Sequence, residues 1–110
     1  MASIIEGDTF TQVVHFAVEP DRQAALVEAV ATEIERWVRH CPGFVSSSLH
    51  ASLDGHHVLN YAQWRTEADF VAFTKHSEGE RLGAAVRAAK PLEGPEAVKY
   101  HAVRVIDALR

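Results

Sequence analysis

Residues 42–64, PGFVSSSLHASLDGHHVLNYAQW, constrain this chain more than any other stretch. They form two β-patterned runs joined at Asp54-Gly55, a dipeptide suited to a tight turn. A strand turns successive side chains to opposite faces, so the even-numbered residues of each run share a face. Whether the two even sets coincide depends on the turn. A bare two-residue turn sets Leu53 opposite His56 and sends His50 away from Asn60. A loop Leu53-Asp54-Gly55, with Gly55 left-handed in a bulge, sets Ser52 opposite His56 and brings His50 to the side of Val58, Asn60, Ala62 and Trp64. The bulged register is the expectation. A face with Ser46, Ser48, His50, Asn60 and Trp64 is too polar for an ordinary core and suits a pocket wall, whereas the other face gathers Val45, Leu49, Leu59 and Tyr61. A wet outer face is the competing reading.

The flanking sequence supplies the remaining elements. FTQVVHFAV, over residues 10–18, is rich in β-branched and aromatic residues and reads as a first strand. Glu19-Pro20-Asp21 opens a helix whose apolar stripe is Leu26, Val27, Val30, Ile34, Trp37 and Val38, ending near His40 before Pro42-Gly43. Glu28, Glu33, Glu35, Arg36 and Arg39 fall on its solvent side. After the hairpin, Thr66 and Ser77 each precede a carboxylate by three residues, so a broken second helical region with two capped starts is expected. Phe70 and Phe73 face inward on the first piece and Leu82, Ala85, Val86 and Ala89 on the second, until Lys90-Pro91 and Gly94-Pro95. A last strand is expected over residues 96–106.

The order β-α-β-β-α-β gives an α+β class, a ferredoxin-like sandwich with a four-stranded antiparallel sheet and both helices on one face. The uncovered face would expose enough apolar surface to need a partner, and a sheet-to-sheet homodimer is the economical answer. A chain of 110 residues, 47% hydrophobic, suits one domain over residues 1–110. Its net charge of −4 and its lack of a Lys/Arg block argue against nucleic acid.

Cys41 is the single cysteine, so no disulfide framework exists, and no Cys/His spacing resembles a zinc site. The adjacent His56 and His57 point opposite ways on a strand and cannot share a metal. No metal site is expected. The start MASIIEGDTF lacks signal-peptide character, and no run reaches the ~18 apolar residues of a membrane span. A soluble cytoplasmic protein with no membrane partner is the expectation.

Pro42-Gly43-Phe44, His50-Ala51-Ser52, Asp54-Gly55 and Asn60-Tyr61-Ala62-Gln63-Trp64 together resemble the antibiotic biosynthesis monooxygenase (ABM) family, closest in pattern to its cofactor-independent, actinorhodin-pathway type polyketide monooxygenases. The resemblance covers nearly the whole chain. It implies a ferredoxin-like domain that dimerises into an α/β-barrel and oxidises a polycyclic aromatic phenol or anthrone to a quinone with molecular oxygen and no cofactor. It points to Asn60 and Trp64 as the pair that holds the substrate for oxygen chemistry, to His50 as a third position, and to Arg81 as the nearest match to an arginine on the second helical region. Where the related enzyme has a tyrosine beyond the tryptophan, this chain has Phe70. A phenolic proton donor is missing there, and Tyr61 or Tyr100 would have to stand in.

The residues can support such chemistry. Triplet oxygen reacts slowly with closed-shell molecules until an electron is transferred, so without a metal or flavin the substrate anion must be the reductant. The Asn60 amide N–H can donate to a developing oxyanion, and Trp64 offers a flat wall with an indole N–H. His50 is the candidate proton acceptor, since an imidazole ordinarily titrates at about pH 6.5. Ser46, Ser48 and Ala62 leave room for a ring system under an apolar lid of Phe44, Phe70 and Phe73.

Three alternatives remain. A haem-binding or haem-degrading member would need a histidine along the second helical region and an asparagine on the first strand, where this chain offers Gln12 and no histidine after Ser77. His76 reads as a helix-end residue rather than a haem ligand, and Trp37 as core. A general quinol oxidase differs only in substrate. A non-catalytic polyketide-binding or cyclase-accessory protein would use the same pocket.

Overall fold

Segments rich in β-branched and aromatic residues become strands, and the segment with three- and four-residue apolar spacing becomes the long helix. The computed structural model describes residues 9–92, 95–101, 103–106 and 108–109. Strand β1 is Phe10–Ala17, helix α1 Gln23–Arg36, β2 Phe44–Ala51, β3 His57–Trp64, α2 Glu67–Thr74, α3 Gly79–Ala88 and β4 Glu96–His101. The strands form one antiparallel sheet in the order β2-β3-β1-β4. This is the ferredoxin-like α+β arrangement. No described helix is long and apolar enough to cross a membrane.

Helix α1 buries Leu26 and Val30, and the 3-10 turn Val38–His40 carries the chain from it towards Pro42. Glu33, expected on the solvent side, is buried instead at 4% exposure. It lies one turn before Trp37, whose indole Nε1 donates to Glu33 Oε1 at 3.0 Å. Arg36 and Arg81 each reach its carboxylate at 3.4 Å. A buried carboxylate with these partners is tolerated where an unpaired one would not be.

Thr66 caps α2 as expected, accepting the Asp69 N–H at 3.1 Å. Ser77 does not cap α3. The N-cap residue is Glu78, which has no side-chain cap bond, and the His76 Nδ1 accepts the Glu78 N–H at 3.0 Å just before the helix begins. Strand β4 ends at His101, short of residue 106, and Gly94 lies outside the described residues.

The core is in two parts. One gathers Phe16, Val18, Leu26, Val30, Val58 and Ala89, and the other Phe10, Trp37, Val38, Trp64 and Phe70. The space between them is set by the hairpin register. Ser52 N–H donates to the His57 carbonyl at 3.0 Å, and His57 N–H returns a bond to Ser52 Oγ at 2.9 Å. Ser52 therefore faces His57 across a loop of residues 53–56, and the expected pairing with His56 is overturned. Gly55 does adopt the left-handed conformation, with φ +85°, but inside a longer loop.

Contacts from outside the hairpin explain the difference. Gln23 Nε2, at the start of α1, donates to the carbonyls of Ser52 at 3.0 Å and His57 at 2.9 Å. The Val18 N–H binds the His56 carbonyl at 2.9 Å. Within the loop, Asp54 Oδ1 accepts from His56 N–H at 2.9 Å and Ser52 Oγ at 2.7 Å, which holds the Asp54 carboxyl below its ordinary 3.8.

With this register His50 pairs with Leu59, Leu49 with Asn60 and Ser47 with Ala62. An irregularity between Phe44 and Ser46 then inserts Val45 and restores Phe44 to the side of Trp64. Phe44, Ser47 and Leu49 thus share the helix side with Val58, Asn60, Ala62 and Trp64. Ser46, Ser48 and His50 share the side away from the helices with Leu59, Tyr61 and the buried Gln63.

Gln23→Ala is expected to lower unfolding stability by about 1–3 kcal/mol in urea titration, the range for losing these bonds. Gln23→Glu should cost more, because it turns a carboxylate towards two carbonyl oxygens. Equal stability of all three proteins would show that Gln23 does not clamp the loop.

Candidate active site

A cavity of about 430 Å³ lies between sheet and helices, inside the range of about 300–1,000 Å³ common for small-molecule sites. Its floor is Gln12, Val14 and Phe16 on β1, Ser47 on β2, Asn60, Ala62 and Trp64 on β3, and Ala97 on β4. Its roof comes from Val30 and Ile34 on α1, Phe73 on α2, and Gly79, Leu82, Gly83, Val86 and Arg87 on α3. The α3 residues recur at three- and four-residue spacing and so share one helix face. Two of them are glycines one turn apart, which leaves room that side chains would fill.

The polar groups are few and mostly donors. Ser47 Oγ donates to Asn60 Oδ1 across the β2–β3 diagonal. This holds the amide so that its Nδ2 hydrogens remain, and among the described residues they have no partner. Trp64 is 1% exposed and is walled by Phe73, at 4.9 Å between ring centroids, and by Phe44 edge-on at 5.4 Å. Its indole N–H likewise has no hydrogen-bond partner among the described residues, and its ring lines the cavity. Gln12 and Arg87 contribute a second polar group near the β4 side. Arg87 is exposed and makes no ion pair among the described residues.

The expected set is thus partly brought together. Asn60, Trp64, Ala62, Phe44 and Phe73 line the cavity. His50 does not. It is exposed on the opposite face, where its Nε2 lies 2.9 Å from Ser48 Oγ, and Ser46 and Ser48 share that face. Ser47 takes the place expected for its neighbours because the register shifts the parity of β2. Phe70 is buried behind the cavity, stacked on Phe10 at 4.9 Å and edge-on to Trp64 at 6.2 Å. Arg81 points away and pairs with Glu33. The cavity arginine is Arg87, and the spacing Gly79-Leu82-Gly83-Val86-Arg87 was the signal that could have found it. Ser47 was missed as well, and Gln12 was noted only as the amide nearest a haem-type asparagine.

A smaller cleft beside α1 holds Arg36, Trp37, His40, Cys41 and His76. There His76 stacks on Trp37 at 4.5 Å, and burial pushes the Cys41 thiol up. Among the described residues no group of three His, Cys, Asp or Glu is placed to hold a metal. On the open sheet face Val13, Leu59 and Tyr61 are half-buried, while Val98 and Tyr100 remain 40% and 50% exposed. Leu49, expected on this face, packs under α1 instead.

Residues 9–90 match the sequence model of the family described as Antibiotic biosynthesis monooxygenase. The tetracenomycin-F1 monooxygenase of Streptomyces glaucescens is 51% identical over 65 residues, a stretch spanning 59% of this chain and 58% of that relative. The crystal structure of a monooxygenase from the gene ActVA-Orf6 of Streptomyces coelicolor, in complex with the ligand nanaomycin D, superposes with a TM-score of 0.82 at 37% identity, covering 91% of this chain and 92% of that one. SnoaB of Streptomyces nogalater, described as a cofactor-independent oxygenase, shares the fold with a TM-score of 0.71 at 21% identity, covering 93% of this chain and 100% of that one.

The Glu33 network braces α1 against α3 beside the cavity. Burial pushes its carboxyl up, but the Trp37 and Arg36 hydrogen bonds with the charges of Arg36 and Arg81 outweigh this and hold it below its ordinary 4.5. A depressed folded-state value contributes stability above the unfolded value and loses it as pH falls through the folded one. Wild-type melting temperature should therefore drop more steeply below about pH 4.5 than that of Glu33→Gln. Parallel curves for the two proteins would contradict this role.

Proposed function

This chain belongs to the antibiotic biosynthesis monooxygenase family, and we propose that it is a cofactor-independent monooxygenase that oxidises a polycyclic aromatic phenol or anthrone of polyketide type to a quinone. One observation carries the reading: an apolar cavity of about 430 Å³ is lined by Asn60 and Trp64, whose side-chain N–H donors have no partner among the described residues. Such an arrangement suits a flat ring system with an oxygen that becomes an anion. The named activities of the relatives from Streptomyces glaucescens and Streptomyces coelicolor support the same substrate class.

The residues act by holding charge. Asn60 Nδ2–H and Trp64 Nε1–H donate to the substrate oxygen as electron density collects on it, in a site from which Phe44, Phe73 and Val86 exclude water. The electron-rich anion transfers an electron to oxygen, and recombination forms a carbon–oxygen bond to a peroxide. Protonation and loss of water leave a carbonyl. For an anthrone the balance is CH₂ plus O₂ giving C=O plus H₂O, with the substrate as the sole reductant. Ala62 and the two α3 glycines leave the space the rings occupy.

The open sheet face belongs to the same reading. Val13, Leu59, Tyr61, Val98 and Tyr100 form an apolar strip that a second copy of the chain would cover, giving a sheet-to-sheet homodimer closed as an α/β-barrel. A cytoplasmic location completes the proposal, with Cys41 free of any disulfide.

Oxygen uptake with an anthrone and metal-free protein tests the activity. Asn60→Ala is expected to lower kcat by about 10²–10³. Trp64→Phe, which removes one donor and keeps a ring, should cost about tenfold. Ligand binding without oxygen uptake by the wild type would favour a polyketide-binding accessory protein. For the assembly, sedimentation should give a dimer for the wild type and a monomer for Tyr61→Asp; a wild-type monomer at high concentration would refute the sheet-to-sheet pairing.

A further inference from the structure

We infer that Gly79 and Gly83 are specificity-determining residues of the cavity: their missing side chains set how many fused rings it accepts, and three or more linear rings are the class that fills it. They do so for the aromatic substrate proposed above, on which this inference rests. Neither residue takes part in the oxidation itself.

A glycine within a helix needs a physical reason, because it forms helix less readily than alanine or leucine. Gly79 and Gly83 are the first and fifth residues of α3, and both line the cavity. Backbone conformation is not the reason. Among the described residues the glycines with positive φ are Gly43 and Gly55, at +82° and +85°, whereas Gly79 and Gly83 have ordinary helical backbone. Close packing is not the reason either. A Cβ at Gly43 would collide with the Asp69 side chain. A Cβ at Gly79 would meet, among the described residues, only the Thr74 carbonyl oxygen at 3.9 Å, which is an ordinary contact. At Gly83 it would meet Arg87 Nη1 at 3.2 Å, the far end of a flexible side chain that can yield. What the two missing side chains leave is space in the cavity roof.

That space has a direction. Residues four apart in a helix lie one above the other, and Gly79, Gly83 and Arg87 keep this spacing. The gap therefore follows α3 for about 12 Å, eight residues at 1.5 Å each. Its Gly79 end adjoins Thr74, next to Phe73, whose ring lies 4.9 Å from that of Trp64. Its other end is Arg87, which shares the lining with Pro95 and Ala97. The sheet side of the cavity is also trimmed, at Ala62. A two-ring molecule would leave part of this length empty, and three or four linear rings occupy it. Each added ring buries more apolar surface against the lining, so affinity should climb with ring number until the gap is full. A side chain at position 79 or 83 shortens the gap and penalises the longer ligands most.

Anaerobic calorimetry with 1-naphthol, 1,8-dihydroxyanthraquinone and 5,12-naphthacenequinone, of two, three and four linear rings, tests this. The proteins are the wild type, Gly79→Leu, Gly83→Leu and Ala84→Leu, the last adding the same side chain on the exposed side of α3. Wild-type affinity should rise with ring number. Both glycine variants should weaken the three- and four-ring ligands by about 10–100-fold and 1-naphthol by less, while Ala84→Leu matches the wild type. Melting temperatures of Gly79→Ala and Gly83→Ala should equal or exceed that of the wild type, since alanine is the better helix former. Lower melting temperatures would reveal glycines required by the fold and overturn the inference. Affinity losses that ignore ring number would overturn it too, as would a loss confined to Gly83→Leu, which would trace to a displaced Arg87. The expected binding pattern without oxygen uptake from an anthrone would leave this inference standing and sink the oxidation. Oxygen uptake with affinities indifferent to ring number would do the reverse. Failure of all three ligands to bind the wild type would overturn both.

Discussion

The bond from Ser52 N–H to the His57 carbonyl fixes the phase of β2 against β3, and with it every side chain the hairpin offers to the helices. A strand has only two faces, so a one-residue change in register would exchange them entirely. Gln23 and Val18 hold that phase from outside the hairpin. At the other end, the extra residue Val45 resets it, so that Phe44 rejoins the aromatic wall beside Trp64. The site therefore depends on two irregularities, one at each end of β2.

The chemistry follows from that phase. Ser47 reaches Asn60 and occupies its carbonyl oxygen, which leaves an amide with only donors to present. The same phase sends His50 to the opposite face, beside Ser48. Among the described residues, what lines the cavity is a donor set in an apolar box with the Arg87 guanidinium. Such a box stabilises an anion far better than it creates one by removing a proton. The proposed oxidation thus places its demands on the substrate, which must be acidic enough to ionise and electron-rich enough to reduce oxygen.

Much of this was legible in the sequence, for physical reasons that can be named. Strands and helices were visible because their side-chain periods differ, and the positions of Asn60, Ala62 and Trp64 on one face followed from strand period alone. Thr66 could be read as a cap because its bond is local. The face of His50 could not, because the loop length is decided by Gln23 and Val18, which are distant in sequence from the turn. Glu33 was misread for a similar reason: its burial depends on Arg81, brought across from α3. Arg81 came from matching a family arginine, and it pairs with Glu33; the apolar and glycine spacing of α3 was what pointed to Arg87 on the cavity side.

The most direct test of this account is a crystal structure of the protein grown anaerobically with an anthrone. The ring system should lie between Ala62 and Val86, with its oxygen within hydrogen-bond distance of Asn60 Nδ2 and Trp64 Nε1 and with no imidazole or carboxylate touching it. A ligand seated on the open sheet face beside His50 would contradict the account.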